Sequence, residues 1–406
     1  MPLTNTPQSY GAITKTLHWV TAFGILLMIP LGLIAHALPY DTAADLAFKA
    51  TLFSIHKTVG VALFFVAVIR ILWALTQPRP APLHPERRAE SFLAATIHWL
   101  LYGSLVAGPL SGWVHHAATD GFAPIWGPLG QSLPLVPKDP AFAEAAAGLH
   151  SVFVWALGIA LALHVAGALK HHVIDKDATL RRMLPGSTRA GAAPAKGHGA
   201  GAPVAALAIW GAAIGLGGVL GVYGQGTSAA QVAELQEVES DWQVREGTLT
   251  LTVRQFGKDI EGRFADWTAD ITFDDSPGPG PKGAVTVQVA IGSLSLGSVT
   301  DQAMGPDYFA AESHPTATFT AEILRRDDGT YGAEGSLALK GAEVPMTLPF
   351  TLEIDDRTAR MTGTATLDRR NFGIGENMTD PGQLGFEVNI AVDLTAERQD
   401  QPGSPG

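Results

Sequence analysis

Two histidines, His150 and His164, stand fourteen residues apart inside an apolar run from Leu149 to His172. An imidazole in a membrane-length helix is costly to keep there, so it argues for a task. Fourteen residues fall about 40° short of four helical turns and rise about 21 Å, most of the ~30 Å hydrocarbon thickness. One helix thus offers two ring nitrogens on nearly one face, one near each membrane surface. Neutral imidazole is a good iron ligand, and this placement is what two metal centres stacked across a bilayer would require.

The partners of these rings depend on the elements that carry them. Five apolar stretches are long enough to span a bilayer, roughly Leu17–Leu38, Leu52–Thr76, Phe92–Val114, Gly148–His172 and Val204–Tyr223. The loop after the second carries Arg79, Arg87 and Arg88, and the segment after the fourth carries Lys170, Lys176, Arg181, Arg182, Arg189 and Lys196. Positive loops stay inside, so the N-terminus and both basic loops are expected in the cytoplasm and the chain after Ser228 on the outer face. Residues 186–203, rich in Gly, Ala and Pro, read as a cytoplasmic linker. Residues 204–223 read as an anchoring span whose glycines allow close helix packing.

With this orientation, depth sorts the histidines. His56 and His150 both lie toward the outer face, and His18 and His164 toward the cytoplasm. Each pair could clamp one haem iron from two helices of a bundle. His98 opens the third span at the cytoplasmic level and competes with His18, though choosing it would strand His18. His36, His115 and His116 read as interfacial near the outer surface. His84, His171, His172 and His198 sit in basic cytoplasmic segments, where they add charge. Arg70, near the cytoplasmic end of span two, either snorkels or pairs with a haem propionate, for which a guanidinium fork is suited. Lys57, beside His56, could serve the outer side in the same way.

Composition narrows the chemistry. No cysteine occurs in 406 residues, which excludes disulfides, thiolate metal sites, iron–sulfur clusters and thioether-linked haem. Any haem is therefore held non-covalently. Residues 1–227 hold 14 Lys and Arg against 9 Asp and Glu, whereas residues 228–406 hold 13 against 29. The acidic half carries no basic stripe and is unsuited to nucleic acid.

After Ser228 the apolar period becomes two. Leu249–Val253, Val285–Ile291, Ala317–Ile323, Met346–Ile354 and Leu384–Leu394 alternate apolar with polar residues, with turn residues between the runs. The expected fold is therefore a multidomain membrane protein. An all-α four-helix transmembrane bundle and a fifth transmembrane helix precede an all-β antiparallel barrel, of a kind able to hold one small ligand.

At Leu17-His18-Trp19, His56 with Val68-Ile69-Arg70, Ile97-His98-Trp99, and the block from His150 to His164 continuing through Lys170-His171-His172, Asp175-Lys176-Asp177 and Leu180-Arg181-Arg182-Met183-Leu184-Pro185, the sequence resembles the bacterial cytochrome b561 family. The likeness covers about residues 8–185. It implies two haem b groups with His18, His56, His150 and His164 as iron ligands. It also implies electron transfer between a membrane quinone such as ubiquinone and a partner at the outer face. Some members of the family are linked to superoxide oxidation.

Residues 236–397 resemble the YceI-like family of lipocalin-like barrels that bind polyisoprenoids and isoprenoid quinones. The matching motifs are Gly262-Arg263-Phe264, Asp307-Tyr308-Phe309, His314-Pro315, Gly335–Gly341 and Arg369-Arg370-Asn371-Phe372-Gly373-Ile374. The chain has Gln255-Phe256-Gly257 where that family often has His-x-Gly, and Ala303 in place of the histidine of Asp-x-His-Leu. Phe256, Phe319, Phe350, Phe372 and Phe386 are the candidates to line a lipid, or else to fill the barrel core.

The resulting expectation is an inner-membrane, multi-pass, di-haem b cytochrome of the respiratory chain, fused to a periplasmic isoprenoid-binding barrel. It would exchange electrons between the quinone pool and a periplasmic redox partner. A superoxide:quinone oxidoreductase and a membrane-anchored lipid carrier without redox chemistry are the rivals. No residue is singled out as catalytic in its own right. Gly215-x-Gly217-Gly218 lies inside an apolar span and not after a strand, so a nucleotide-binding reading fails on context.

Overall fold

A computed structural model describes residues 2–39, 42–81, 83–119, 123–128, 132–188, 190, 200–223, 233–235 and 240–399. Arg189, Lys196, His198 and most of the expected linker over 186–203 lie outside the described residues, as do 236–239 at the start of the expected barrel. The chain divides into two compact units. One comprises Met1–Leu38, Thr51–Ala118 and Pro124–Gln225, and the other Pro39–Ala50, Thr119–Ala123 and Gly226–Gly406.

Among the described residues, five helices are long and apolar enough to cross a membrane: α1 (Ala12–Ala37), α2 (Ala43–Thr76), α3 (Arg88–Ala118), α4 (Pro140–Val173) and α5 (Gly201–Val219). Local chemistry fixes where α4 starts. Pro140 opens it, and the Asp139 carboxylate accepts the Phe142 N–H at 2.7 Å, satisfying a donor that has no partner within the helix. The middle of the bundle is a small apolar layer with one buried residue from each of four helices, Ile25, Ala67, Leu105 and Leu157. Large apolar side chains point the other way. Phe23, Leu27, Leu72, Trp155 and Ile159 are all more than half exposed, an inside-out pattern that suits a lipid surround.

The segment after α4 folds back on the start of α1. Lys15 is buried and donates through Nζ to the carbonyls of Leu184 and Gly186, both at 2.8 Å. Trp19 Nε1 donates to the Met183 carbonyl at 2.8 Å. Helix α5 packs on α3 and α4 through Ala206, which is fully buried against Ile97, Leu100 and Ala160. The glycine stripe expected to mediate this packing is largely absent from it, since Gly211 and Gly215 face open space. The close approach is instead at Gly103 of α3, where a Cβ would lie 1.9 Å from the ring of Trp210.

In the second unit, ten strands form one antiparallel sheet. They are β1 (Trp242–Gln255), β2 (Lys258–Phe264), β3 (Trp267–Phe273), β4 (Gly280–Ala290), β5 (Leu294–Ser295), β6 (Thr316–Arg325), β7 (Tyr331–Leu339), β8 (Ala342–Asp355), β9 (Thr358–Asp368) and β10 (Leu384–Arg398). Their order is β3-β4-β6-β7-β8-β9-β10-β1-β2-β5. The sheet curls into a half-barrel whose edges are β3 and β5, so its curvature rather than a complete ladder encloses the interior. Leu249, Leu251 and Val253 of β1, Phe319 of β6, Leu348 and Phe350 of β8 and Leu384 of β10 are buried on the inner face. The period-two pattern thus places its apolar set inward and its threonines outward.

One residue pins the end of this sheet. Arg369, 3% exposed, follows β9 and donates to five main-chain carbonyls, those of Gly385, Ile374, Gly375, Met378 and Leu384, at 2.5–3.2 Å. A guanidinium has five N–H donors in a fixed fork, and here each meets an acceptor, which is how a charge is held so deeply.

Candidate haem centres and apolar cavity

Within the helical unit the four membrane histidines meet in two pairs. The rings of His18 (α1) and His164 (α4) are 6.2 Å apart between centroids and inclined at 60°. Those of His56 (α2) and His150 (α4) are 6.3 Å apart at 90°. Two metal–imidazole bonds of about 2 Å, with about 1.1 Å from each nitrogen to its ring centre, place the centroids of opposed axial ligands about 6.3 Å apart. Both pairs match that separation. His98 does not, because its ring is edge-on to His164 at 5.0 Å, a contact distance with no room for an ion.

The surroundings set ring orientation. His150 Nδ1 donates to the Gly108 carbonyl at 2.8 Å, which leaves Nε2 as the nitrogen with a free lone pair. Metal-binding imidazoles characteristically use their second nitrogen in this way. His56 Nδ1 is buried without a hydrogen-bond partner. Two glycines make room for the outer pair. A Cβ at Gly32 would come within 2.7 Å of the His56 ring, and one at Gly112 within 2.9 Å of the His150 ring. Neither glycine was marked by the spacing of the histidines. Only the crossing of α1 over α2 and of α3 over α4 gives them meaning. The two centroid distances, the His150 tautomer and the clearances at the outer pair fit non-covalent bis-imidazole haem.

The two cations take different positions. Arg70 Nη2 donates to His18 Nδ1 at 3.1 Å, and its guanidinium lies 5.4 Å from the centre of the Tyr102 ring. It therefore belongs to the inner pair. Lys57 Nζ contacts His116 Nδ1 at 3.3 Å. His116 is only 4% exposed, so its ring is packed within the protein. His115 donates to the Ala143 carbonyl at 2.9 Å.

The half-barrel encloses an apolar cavity of about 280 Å³. Phe319, Phe350 and Phe372 line it, whereas Phe256 and Phe386 do not. Phe256 sits at the turn between β1 and β2 with φ 48°, which turns it out of strand alternation. Phe386 lies under two guanidinium groups, 4.0 Å from Arg370 and 5.3 Å from Arg369, held there by cation–π attraction. Polar groups enter the lining at Gln255, Gln302, Tyr308 and Arg369. Gln302 Nε2 donates to the Tyr308 hydroxyl at 2.9 Å. Gln255, 7% exposed, has its Oε1 buried without a partner. Sequence reading noted Gln255 only as a departure from a motif, and β1 alternation alone could have shown that it faces inward.

Comparison with known proteins separates the same two parts. Residues 9–186 match the family model for prokaryotic cytochrome b561, and residues 241–396 match the model for the YceI-like domain. Cytochrome b561 homolog 2 of Escherichia coli is 35% identical over 184 residues, covering 45% of this chain and 95% of that protein. A protein of Yersinia pestis named probable superoxide oxidase CybB is 25% identical over 180 residues, covering 44% of this chain and 97% of its own length. The crystal structure of Burkholderia cenocepacia BcnA is 26% identical to its matched part, with a TM-score of 0.35, covering 37% of this chain and 95% of that one.

Proposed function

This chain belongs to the prokaryotic cytochrome b561 family, a multi-pass, haem b-binding, electron-transferring family of the inner membrane, and from that premise we propose that it is a di-haem cytochrome serving the quinone pool. The observation that carries the proposal is the pair of imidazole pairs, at 6.2 and 6.3 Å, with one member of each on α4. Haem b, when bound, supplies one-electron exchange at its iron, tuned by axial ligands and burial. The chain's own part is to hold and orient. His56 and His150 form the outer site and His18 and His164 the inner one. The Gly108 carbonyl fixes the His150 tautomer. Arg70 stands at the inner site as the partner for a carboxylate of the bound group.

The YceI-like part gives the pool a second address. Its cavity is apolar except around Gln255, Gln302, Tyr308 and Arg369. An isoprenoid chain fits the apolar walls and a quinone head group the polar end. The basic loops support a cytoplasmic N-terminus and a periplasmic barrel, so the outer histidine pair shares its side of the membrane with the barrel. That pair is then the point of exchange with a periplasmic partner.

A pyridine haemochromogen assay tests the core of this reading. Wild type should give two haems per chain. His56→Ala, His150→Ala, His18→Ala and His164→Ala should each give about one, whereas His98→Ala should retain two. One haem in the wild type would remove the di-haem assignment. For the barrel, quinone reduction by the full chain is compared with a chain ending near residue 224; equal rates and quinone affinities would remove the coupling. Superoxide as electron donor is a second reading, favoured by the name of the Yersinia relative and by the cationic Lys57 beside His56. It requires superoxide-driven reduction that is lost in His56→Ala.

A further inference from the structure

Two of the histidines read above as added charge, His84 and His171, belong to a defined cluster. His84, in the loop between α2 and α3, and His171, in the last turn of α4, stack with ring planes 14° apart and centroids 6.3 Å apart. Both turn one nitrogen toward the same atom. Asp177 Oδ2 lies 3.2 Å from His84 Nε2 and 2.7 Å from His171 Nδ1. The three ligand atoms all lie within 4.8 Å of one another.

The nitrogens on the far side of each ring are also occupied. His84 Nδ1 lies 3.2 Å from Glu86 Oε1, and His171 Nε2 lies 3.4 Å from Glu90 Oε1. Each imidazole is thus flanked by a carboxylate behind and faces the shared Asp177 carboxylate in front, and His171 Nδ1 also lies 3.1 Å from Asp175 Oδ2. The carboxylate–histidine arrangement behind a metal ligand fixes the tautomer and raises ligand basicity. The other Asp177 oxygen is taken up, since Oδ1 accepts the Thr179 N–H at 2.7 Å. That leaves Oδ2 aimed between the rings.

Charge points the same way. Four carboxylates meet in this network, those of Glu86, Glu90, Asp175 and Asp177, joined by two permanent cations, Arg87 and Lys170. Those cations are spent on one side. Lys170 pairs with Glu90 and Asp175, and Arg87 pairs with the same two carboxylates. The neighbouring group of Glu90, His171 and Asp175 is therefore already neutralised. The group of His84, His171 and Asp177 keeps one carboxylate, Asp177, that pairs with neither Lys170 nor Arg87, and offers three ligand atoms within 4.8 Å of one another.

We propose that His84 Nε2, His171 Nδ1 and Asp177 Oδ2 bind a divalent transition-metal ion of the zinc class. Two imidazoles and one carboxylate suit zinc, and bonds of about 2.0–2.1 Å in a tetrahedral site separate its ligand atoms by about 3.3 Å. The 3.2 Å separation already matches, and the 2.7 Å one needs only a small opening. The bound ion ties the α2–α3 loop to the end of α4, seven residues beyond His164.

Zinc binding to the full-length protein in detergent tests this, by titration calorimetry with metal analysis after dialysis. Wild type should hold one equivalent more than His84→Ala/His171→Ala. Glu86→Gln, a change at an exposed loop carboxylate, should weaken that equivalent by about 10- to 100-fold without removing it. His172→Ala, one residue from the cluster and exposed, should match wild type. The haem absorption bands report whether each variant is folded. Equal zinc content in wild type and the folded double variant would overturn the proposal, as would binding unaffected by Glu86→Gln.

Discussion

At the scale of single residues, the histidines were legible and their clearances were not. An imidazole inside an apolar run is conspicuous in any sequence, and loop charge gives it a depth. A glycine in a membrane helix is common and says nothing until a neighbouring helix crosses it. Gly112 makes the clearest case, because a side chain there enters the His150 ring at 2.9 Å while the helix itself tolerates alanine well. Gly112→Ala is expected to leave the fold intact and to lower the haem content of the outer pair, with a shifted α-band measured by reduced-minus-oxidised spectroscopy. Gly158→Ala, which meets nothing within 4 Å on the same helix as both ligands, should be silent. Depth alone could not choose between His18 and His98 at the cytoplasmic level. The centroid distances to His164 differ, 6.2 Å for His18 and 5.0 Å for His98.

Among the elements, the helices were visible because each repeats one chemistry for more than 18 residues. The strands were only half visible. The five apolar alternations correspond to β1, β4, β6, β8 and β10. By contrast β2, with Lys258, Asp259, Glu261 and Arg263, and β9, with Arg360, Thr362, Thr364 and Thr366 exposed, carry too little apolar signal to register. They are strands because their neighbours' ladders require partners. The turn after β9 shows how charge finishes the end of such a strand. Asp368 is bound by Arg370 through Nε at 3.0 Å and Nη2 at 2.5 Å. That hydrogen bonding, working against partial burial, lowers the Asp368 carboxyl from its ordinary 3.8 to about 2. A carboxyl lowered in the folded state adds stability above pH 3.8, and this is lost as pH falls through about 2. With the pair part-exposed, its share is about 1 kcal/mol. Asp368→Asn should therefore cost about that much at neutral pH and progressively less as pH falls from 3.8 through about 2, measured by chemical unfolding followed through tryptophan fluorescence.

For the molecule as a whole, composition divides labour. The basic balance lies in the first 227 residues and the acidic excess in the rest, so the two units suit a membrane surface and an open aqueous compartment respectively. The same composition offers a direct check of orientation. With no native cysteine, a single introduced thiol is the only one in the protein. Cysteine at Thr362, on an outward position of β9, should react with an impermeant maleimide in intact spheroplasts. Cysteine at Arg181 should react only after permeabilisation, and the reverse pattern would invert the membrane assignment. Finally, α4 carries His150, His164 and His171, and so keeps three addresses in register along one rod. Such a rod measures angle as well as length. Inserting one residue between His150 and His164 advances the later part of the helix by about 100° and should put the inner imidazole out of phase with His18, while inserting four advances it by about 40° and restores the phase about 6 Å further along. The helix is a vernier, and haem content across such an insertion series should rise and fall with a helical period rather than decline with length.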